Sequence, residues 1–138
     1  MEINYLTLIV CAVLSMVVGA VWYGPLFGKK WMEICRVNPD DLEARKRMEK
    51  EAMPLYGMQF VLSFLQVYIL AHFVKGWSDV SGIESAVWIW LGFVMPTVAA
   101  TSMWNNNPSK MKWAAFLIQS GYYLILFILF GYMLGTWR

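Results

Sequence analysis

Apolar residues run along this chain in four long blocks separated by polar stretches of unequal length. The first covers Ile3 to Gly28 with no charged side chain. The second covers Ala52 to Val74, the third Ser85 to Asn107, and the fourth Trp113 to Trp137. Each exceeds the ~20 residues that a helix rising ~1.5 Å per residue needs to cross ~30 Å of hydrocarbon. A lone strand in lipid would leave its backbone groups unpaired. Barrel strands would be ~10 residues of alternating polarity, and that alternation is absent. The pattern therefore predicts an all-α, integral membrane four-helix bundle, with helices over 3–28, 52–74, 85–107 and 113–137. Pro96 is expected to kink the third helix, with the Thr97 or Thr101 hydroxyl taking up freed backbone groups. The first block has no basic start and runs apolar for too long to suit a cleaved signal, so it reads as a retained helix.

The stretch between the first two blocks, Lys29 to Glu51, holds 13 of the 20 charged residues. Asn38-Pro39-Asp40-Asp41 reads as a helix start: Asn38 can cap, Pro39 suits the first turn, and the aspartates complement the positive helix end. A short interfacial helix over 39–51 follows, with Pro54 at its junction with the second span.

Composition supports a single membrane domain over 1–138. Hydrophobic residues make up 59% of the 138 and charged residues 14%, far from the ~45–50% and ~25% of soluble chains. Mean hydropathy is +0.51. A water-soluble enzyme, a disordered tail and a nucleic-acid binder are disfavoured, and the lipid bilayer is the expected partner. Basic residues set the orientation. Nine of the 11 Lys and Arg lie in the loops after the first and third helices, against Lys75 and Arg138 on the other side. The positive-inside rule then places loops 29–51 and 108–112 in the cytoplasm and both termini outside, in a bacterial-type cytoplasmic membrane. Within the long loop seven basic residues face six acidic ones, a balance that favours a solvated linker over a lipid- or partner-docking segment. Trp22, Tyr23, Trp31, Trp104 and Trp113 fall near one interface, and Trp77, Trp88, Tyr132 and Trp137 near the other, where amphipathic rings settle.

Candidate chemistry is sparse. Cys11 lies within the first helix and Cys35 in the loop, without metal-ligand spacing and at depths unsuited to a disulfide. His72 is the only histidine and sits near a helix end, where headgroup contact accounts for it better than haem ligation. No Asp, Glu, Lys or Arg falls in the core of a span, which disfavours an ion-coupled carrier. No nucleophile–base set and no phosphate loop is present. No enzyme activity, cofactor or metal is expected.

Polar faces are the remaining signal. Asn4, Thr7, Cys11, Ser15 and Trp22 share one face of the first helix, and Tyr56, Gln59, Ser63 and Gln66 one face of the second. The third offers Thr97, Thr101 and Asn105; the fourth offers Gln119 with Tyr123. Such faces hydrogen-bond helices together or line a cavity. Packing is the more ordinary use, and Gln59, Ser63, Gln66 and Gln119 are the candidates for a cavity. Gly131-xxx-Gly135 and Ser15-xxx-Gly19 are close-contact steps, from which a homo-oligomer or a membrane-protein partner is expected. Trp22 to Trp31 and Trp104 to Trp113 each hold tryptophans nine apart with proline and lysines between, a hint of two parallel helix-pair repeats.

The segment Trp22-Tyr23-Gly24-Pro25-Leu26-Phe27-Gly28-Lys29-Lys30-Trp31-Met32, following an apolar helix that begins near Asn4, resembles the signature of the DUF1761 family. Tyr56 to Ala71, Trp90 to Val94 and Gly131 to Trp137 are similar to that family's later helices. The resemblance covers nearly the whole chain, and the turn residues Trp22, Tyr23, Gly24, Pro25, Gly28 and Trp31 carry it most specifically. It implies a small, mostly bacterial, four-helix membrane protein of uncharacterised function, with no catalytic residues to carry over. The expectation is a non-catalytic accessory or scaffold protein. The alternative is a small-solute permease or channel, acting as an oligomer with a polar face on the second helix.

Overall fold

The computed structural model describes residues 3–137. It is an all-α bundle in which four helices are long and apolar enough to cross a membrane: Tyr5–Leu26, Leu42–Gly76, Gly82–Met103 and Ser109–Thr136. The chain has six α-helical elements, of which all but α2 lie in these spans: α1 (Tyr5–Val21), α2 (Gly28–Ile34), α3 (Leu42–Gly76), α4 (Gly82–Ile89), α5 (Met95–Met103) and α6 (Ser109–Thr136). Spans alternate in direction, so residues 27–41 and 104–108 share one end of the bundle. Arg36 reaches across that end to the Asn106 carbonyl at 3.3 Å.

Side-chain caps start three helices. The Asn4 side chain accepts from the Thr7 N–H, Asp41 from Ala44, and Ser81 from Glu84, each satisfying a donor the helix cannot. The cap of α3 differs from the sequence expectation. Asn38 accepts from the Asp40 N–H at 3.0 Å instead, which makes a local turn and passes the capping role to Asp41.

Two spans widen into π-helix, at Trp22–Leu26 and at Trp90–Val94. Proline explains both. Its ring collides with the carbonyl four residues back, and a wider turn relieves the collision. Pro25 lies inside the first π segment, and Pro96 follows the second in the first turn of α5. The expected hydroxyl contribution is present there: Thr97 donates to the Phe93 carbonyl at 2.6 Å and Thr101 to Thr97 at 2.9 Å.

Proline has no such effect in α3. The helix runs unbroken for 35 residues through Pro54, so the separate helix expected over 39–51 is the first part of the second span's helix. Pro54 is exposed and next to charged Lys50 and Glu51, where water can take up the carbonyl it leaves free. The segment of loop nearer the first span instead folds as α2, an element not anticipated. The two segments compared as a repeat also differ locally. Trp22 opens a π-helical turn, whereas Trp104 stands 82% exposed before an irregular Asn105–Asn107 stretch.

The core centres on α6, whose buried Tyr122, Leu126, Phe127, Phe130 and Leu134 meet Leu8 and Cys11 of α1, Val67, Leu70, Ala71 and Val74 of α3, and Ala86 of α4. A smaller cluster joins Ile34 of α2 to Ala115 and Ile118 of α6. No residue of α3 from Leu42 to Leu62 is buried, so nearly two-thirds of that helix lies outside both clusters.

Candidate functional site

Three backbone approaches fasten α6 to its neighbours. At the end bearing the Trp77–Ser81 connection, Gly82 of α4 packs on Gly131 and Gly135. A Cβ on Gly131 would overlap the Gly82 carbonyl and stand 2.8 Å from the Ala86 Cβ, and one on Gly135 would stand 3.3 Å from the Gly82 backbone. Midway along, the Tyr122 hydroxyl donates to the Ser15 carbonyl at 2.9 Å, with Gly19 leaving it room at 3.1 Å. Further along, two indoles reach α6 from opposite sides: Trp22 Nε1 donates to Ile118 O at 2.9 Å and Trp90 Nε1 to Ser120 O at 3.0 Å. Each tryptophan opens one of the π segments. The wider turn and the indole contact occur together in both spans. Gly121 leaves room for the Trp22 ring at 3.2 Å.

Both close-contact steps singled out in the sequence are thus occupied within one chain. Gly131-xxx-Gly135 receives Gly82, and Ser15-xxx-Gly19 receives Tyr122. The oligomer expectation loses the faces on which it was based.

The turn residues act in the same fastening. Tyr23 meets Trp31 edge-on at 5.0 Å and Tyr122 at 5.3 Å. Trp22 tilts against Phe27 at 4.8 Å. Gly28 is required by contact, since a Cβ there would stand 2.8 Å from the Tyr23 carbonyl. Gly24 meets nothing within 4 Å, so packing does not explain it. This signature is a latch joining α1 to α2 and α6. The chain belongs to the DUF1761 family. The family model, described as a protein of unknown function, matches residues 6–135. Comparison with curated proteins and with solved structures finds no match.

Of the four cavity candidates in this DUF1761 chain, the structure unites two. Gln59 Nε2 donates to Ser63 Oγ at 3.3 Å, one turn apart on α3, and Ser63 is buried. Gln66 lies elsewhere, in an open groove of about 290 Å³ lined by Leu65, Ile69, Leu70 and Phe73 of α3, Ile89 of α4 and Phe127 of α6. Its Oε1 is buried without a hydrogen-bond partner. Gln119 is half-buried on α6, and among the described residues no hydrogen bond links it to the other three. The candidates therefore form an intrahelical pair, a lone amide and a separate residue rather than one polar cavity. His72 is exposed and stacks edge-on with Tyr68 at 4.9 Å. Among the described residues, no group of three or more His, Cys, Asp or Glu is placed to hold a metal.

Residues not singled out as a group prove to meet at the loop end. Lys29, Lys30 and Arg36 line one open cavity of about 610 Å³ beside α2. Arg36 has a positive φ of 62°, the left-handed conformation in which an arginine is uncommon. The neighbouring Cys35 is exposed at the surface, and desolvation by the surrounding chain still pushes its thiol pKa up.

Proposed function

We propose that this protein is a non-catalytic accessory or scaffold protein of a bacterial-type cytoplasmic membrane, with both termini outside and the α2–α3 connection inside. The continuous α3 carries this reading. Its 35 residues measure about 52 Å at 1.5 Å per residue, where ~30 Å spans the hydrocarbon. The excess is a charged stalk, with Glu43, Lys46, Arg47, Glu49, Lys50 and Glu51 all exposed. Just after it, Met53, Leu55, Met58 and Val61 are exposed as well. A helix with an uncovered apolar face at membrane depth and a two-signed charged face beyond it is suited to hold a membrane partner and a soluble segment together. The fastened tryptophans and glycines hold the remaining helices as its mount.

The alternative, a small-solute permease acting as an oligomer, has one observation in its favour: the unpaired Gln66 Oε1. Against it, Gln59 and Ser63 satisfy each other, and Phe127 and Phe130 occupy the bundle interior.

Native mass spectrometry of protein extracted gently from its own membrane distinguishes the two. A recurring second polypeptide that crosslinks to a photoreactive residue at Met58, and not at Trp88, supports the accessory reading. A homo-oligomer carrying a defined solute, with uptake lost in Gln66→Leu, supports the permease. A bare monomer without crosslinks overturns both.

A further inference from the structure

The cationic cavity at the loop end was hidden by averaging. Counted over the whole loop, acidic residues almost cancel the basic ones. At the cavity itself the balance differs, because only one of the loop's carboxylates lines it. Asp41, Glu43, Glu49 and Glu51 belong to α3 or its cap, and Asp40 does not line the cavity. Lys29, Lys30 and Arg36 line it with a single carboxylate, Glu33, which sits 3.5 Å from Lys30. Val37 and Pro39 supply apolar wall, and the Asn38 amide supplies further donors.

Arg36 gives the second, independent observation. It follows α2 at the place where a chain leaving a helix turns left-handed, a position usually given to glycine. This chain keeps an arginine there at a φ of 62°. Its Nη2 donates to the exposed Asn106 carbonyl at 3.3 Å, and the guanidinium has further N–H groups to offer. A non-glycine residue kept in this conformation, with its charge beside the cavity, is a candidate functional position.

Depth identifies the ligand. The cavity begins immediately after the first span. Trp31 of α2 and Trp104 at the end of the third span stand at the same end of the bundle, at the level where indoles meet headgroups. We propose that Lys29, Lys30 and Arg36 bind the phosphate of an anionic phospholipid headgroup. Two ammonium groups and a planar guanidinium supply charge-assisted hydrogen bonds to phosphate oxygens. Val37 and Pro39 supply apolar surface suited to the less polar glycerol region. The site is independent of the accessory reading and of which side the loop faces.

The test uses the full chain in nanodiscs of mixed phosphatidylcholine and phosphatidylglycerol, with retained lipids counted by native mass spectrometry. Wild type is expected to retain phosphatidylglycerol severalfold above its bulk share. The triple variant K29Q/K30Q/R36Q is expected to retain the two lipids at their bulk ratio. Arg36→Gly guards against misfolding as the cause: it suits the left-handed backbone, so it keeps the wild-type helical content and unfolding midpoint while its enrichment falls. Equal enrichment in wild type and the triple variant overturns the proposal. Stripping of phosphatidylglycerol from wild type by millimolar inorganic phosphate also overturns it, because the site would then belong to a soluble phosphate.

Discussion

Gly82 and Gly131 meet backbone to backbone, with no space for a Cβ on either. Over-packing a close contact costs about 1–3 kcal/mol. Here the added atom would meet backbone, which cannot rotate away, so Gly131→Ala should fall at the upper side of that range. Gly57→Ala is the matched control, since a Cβ at Gly57 meets nothing within 4 Å. It should be neutral or stabilise by up to about 1 kcal/mol through helix propensity. Unfolding by SDS titration in mixed micelles measures both.

Trp22→Phe and Trp90→Phe each remove one indole donor and keep most of the ring. The acceptor carbonyls lie within α6, whose own N–H groups still reach them, so no buried acceptor is stranded. Each variant should therefore cost only about 0.6 kcal/mol, the average for interhelical hydrogen bonds in membranes. The two acceptors are two residues apart on one helix, and a double-mutant cycle should show coupling beyond additivity.

Gln66→Leu replaces an amide with an unpaired buried oxygen by an apolar side chain of similar size. Leaving a buried acceptor unsatisfied costs about 1–3 kcal/mol, so this variant should unfold at the same or a higher SDS fraction than wild type. Under the accessory reading it should also keep its partner. Co-purification yield from wild-type and variant membranes checks the second point, and loss of the partner with an intact fold would refute it.

Cys35 offers a test of orientation without mutagenesis, because Cys11 is buried and Cys35 exposed. A membrane-impermeant maleimide should label inverted vesicles and spare intact cells. The reverse would reject the positive-inside assignment. The Cys35 pKa is raised, so less thiolate is present at neutral pH than for a free thiol. Labelling at pH 7 should be slower than for free cysteine, and the rate should keep climbing beyond the pH at which free cysteine levels off.

The spans were legible because lipid imposes one simple demand, a long apolar helix with every backbone group paired. Apolar run length alone located all four. What length could not convey was continuity through proline. Pro54 reads as a break, yet α3 continues, because the freed carbonyl lies where water is available. Helix-face arithmetic placed Gln59 beside Ser63 correctly, since both are on one helix. It could not tell that Gln66 lines a groove with Ile89 and Phe127, because that depends on where α4 and α6 lie. Glycine steps were visible, but their partners were not: Gly82 stands alone in the sequence, and nothing local announces that it meets Gly131. The basic cavity escaped for a related reason. Charge counted along a loop does not show which residues line one cavity, and Lys29, Lys30 and Arg36 share theirs with Glu33 alone among the carboxylates.

The unbroken α3 also makes the molecule a lever. Its C-terminal portion is clamped by Val67, Leu70, Ala71 and Val74, and the portion from Leu62 back to Leu42 lies outside both core clusters. Nothing in between is hinged, because the helix passes Pro54 without ending. From Leu62 to Leu42 the arm is about 30 Å long at 1.5 Å per residue, so a tilt of about 10° would carry its tip roughly 5 Å sideways. A small change in lateral pressure or bilayer thickness would reach the far side of the headgroups magnified, as displacement of a charged tip.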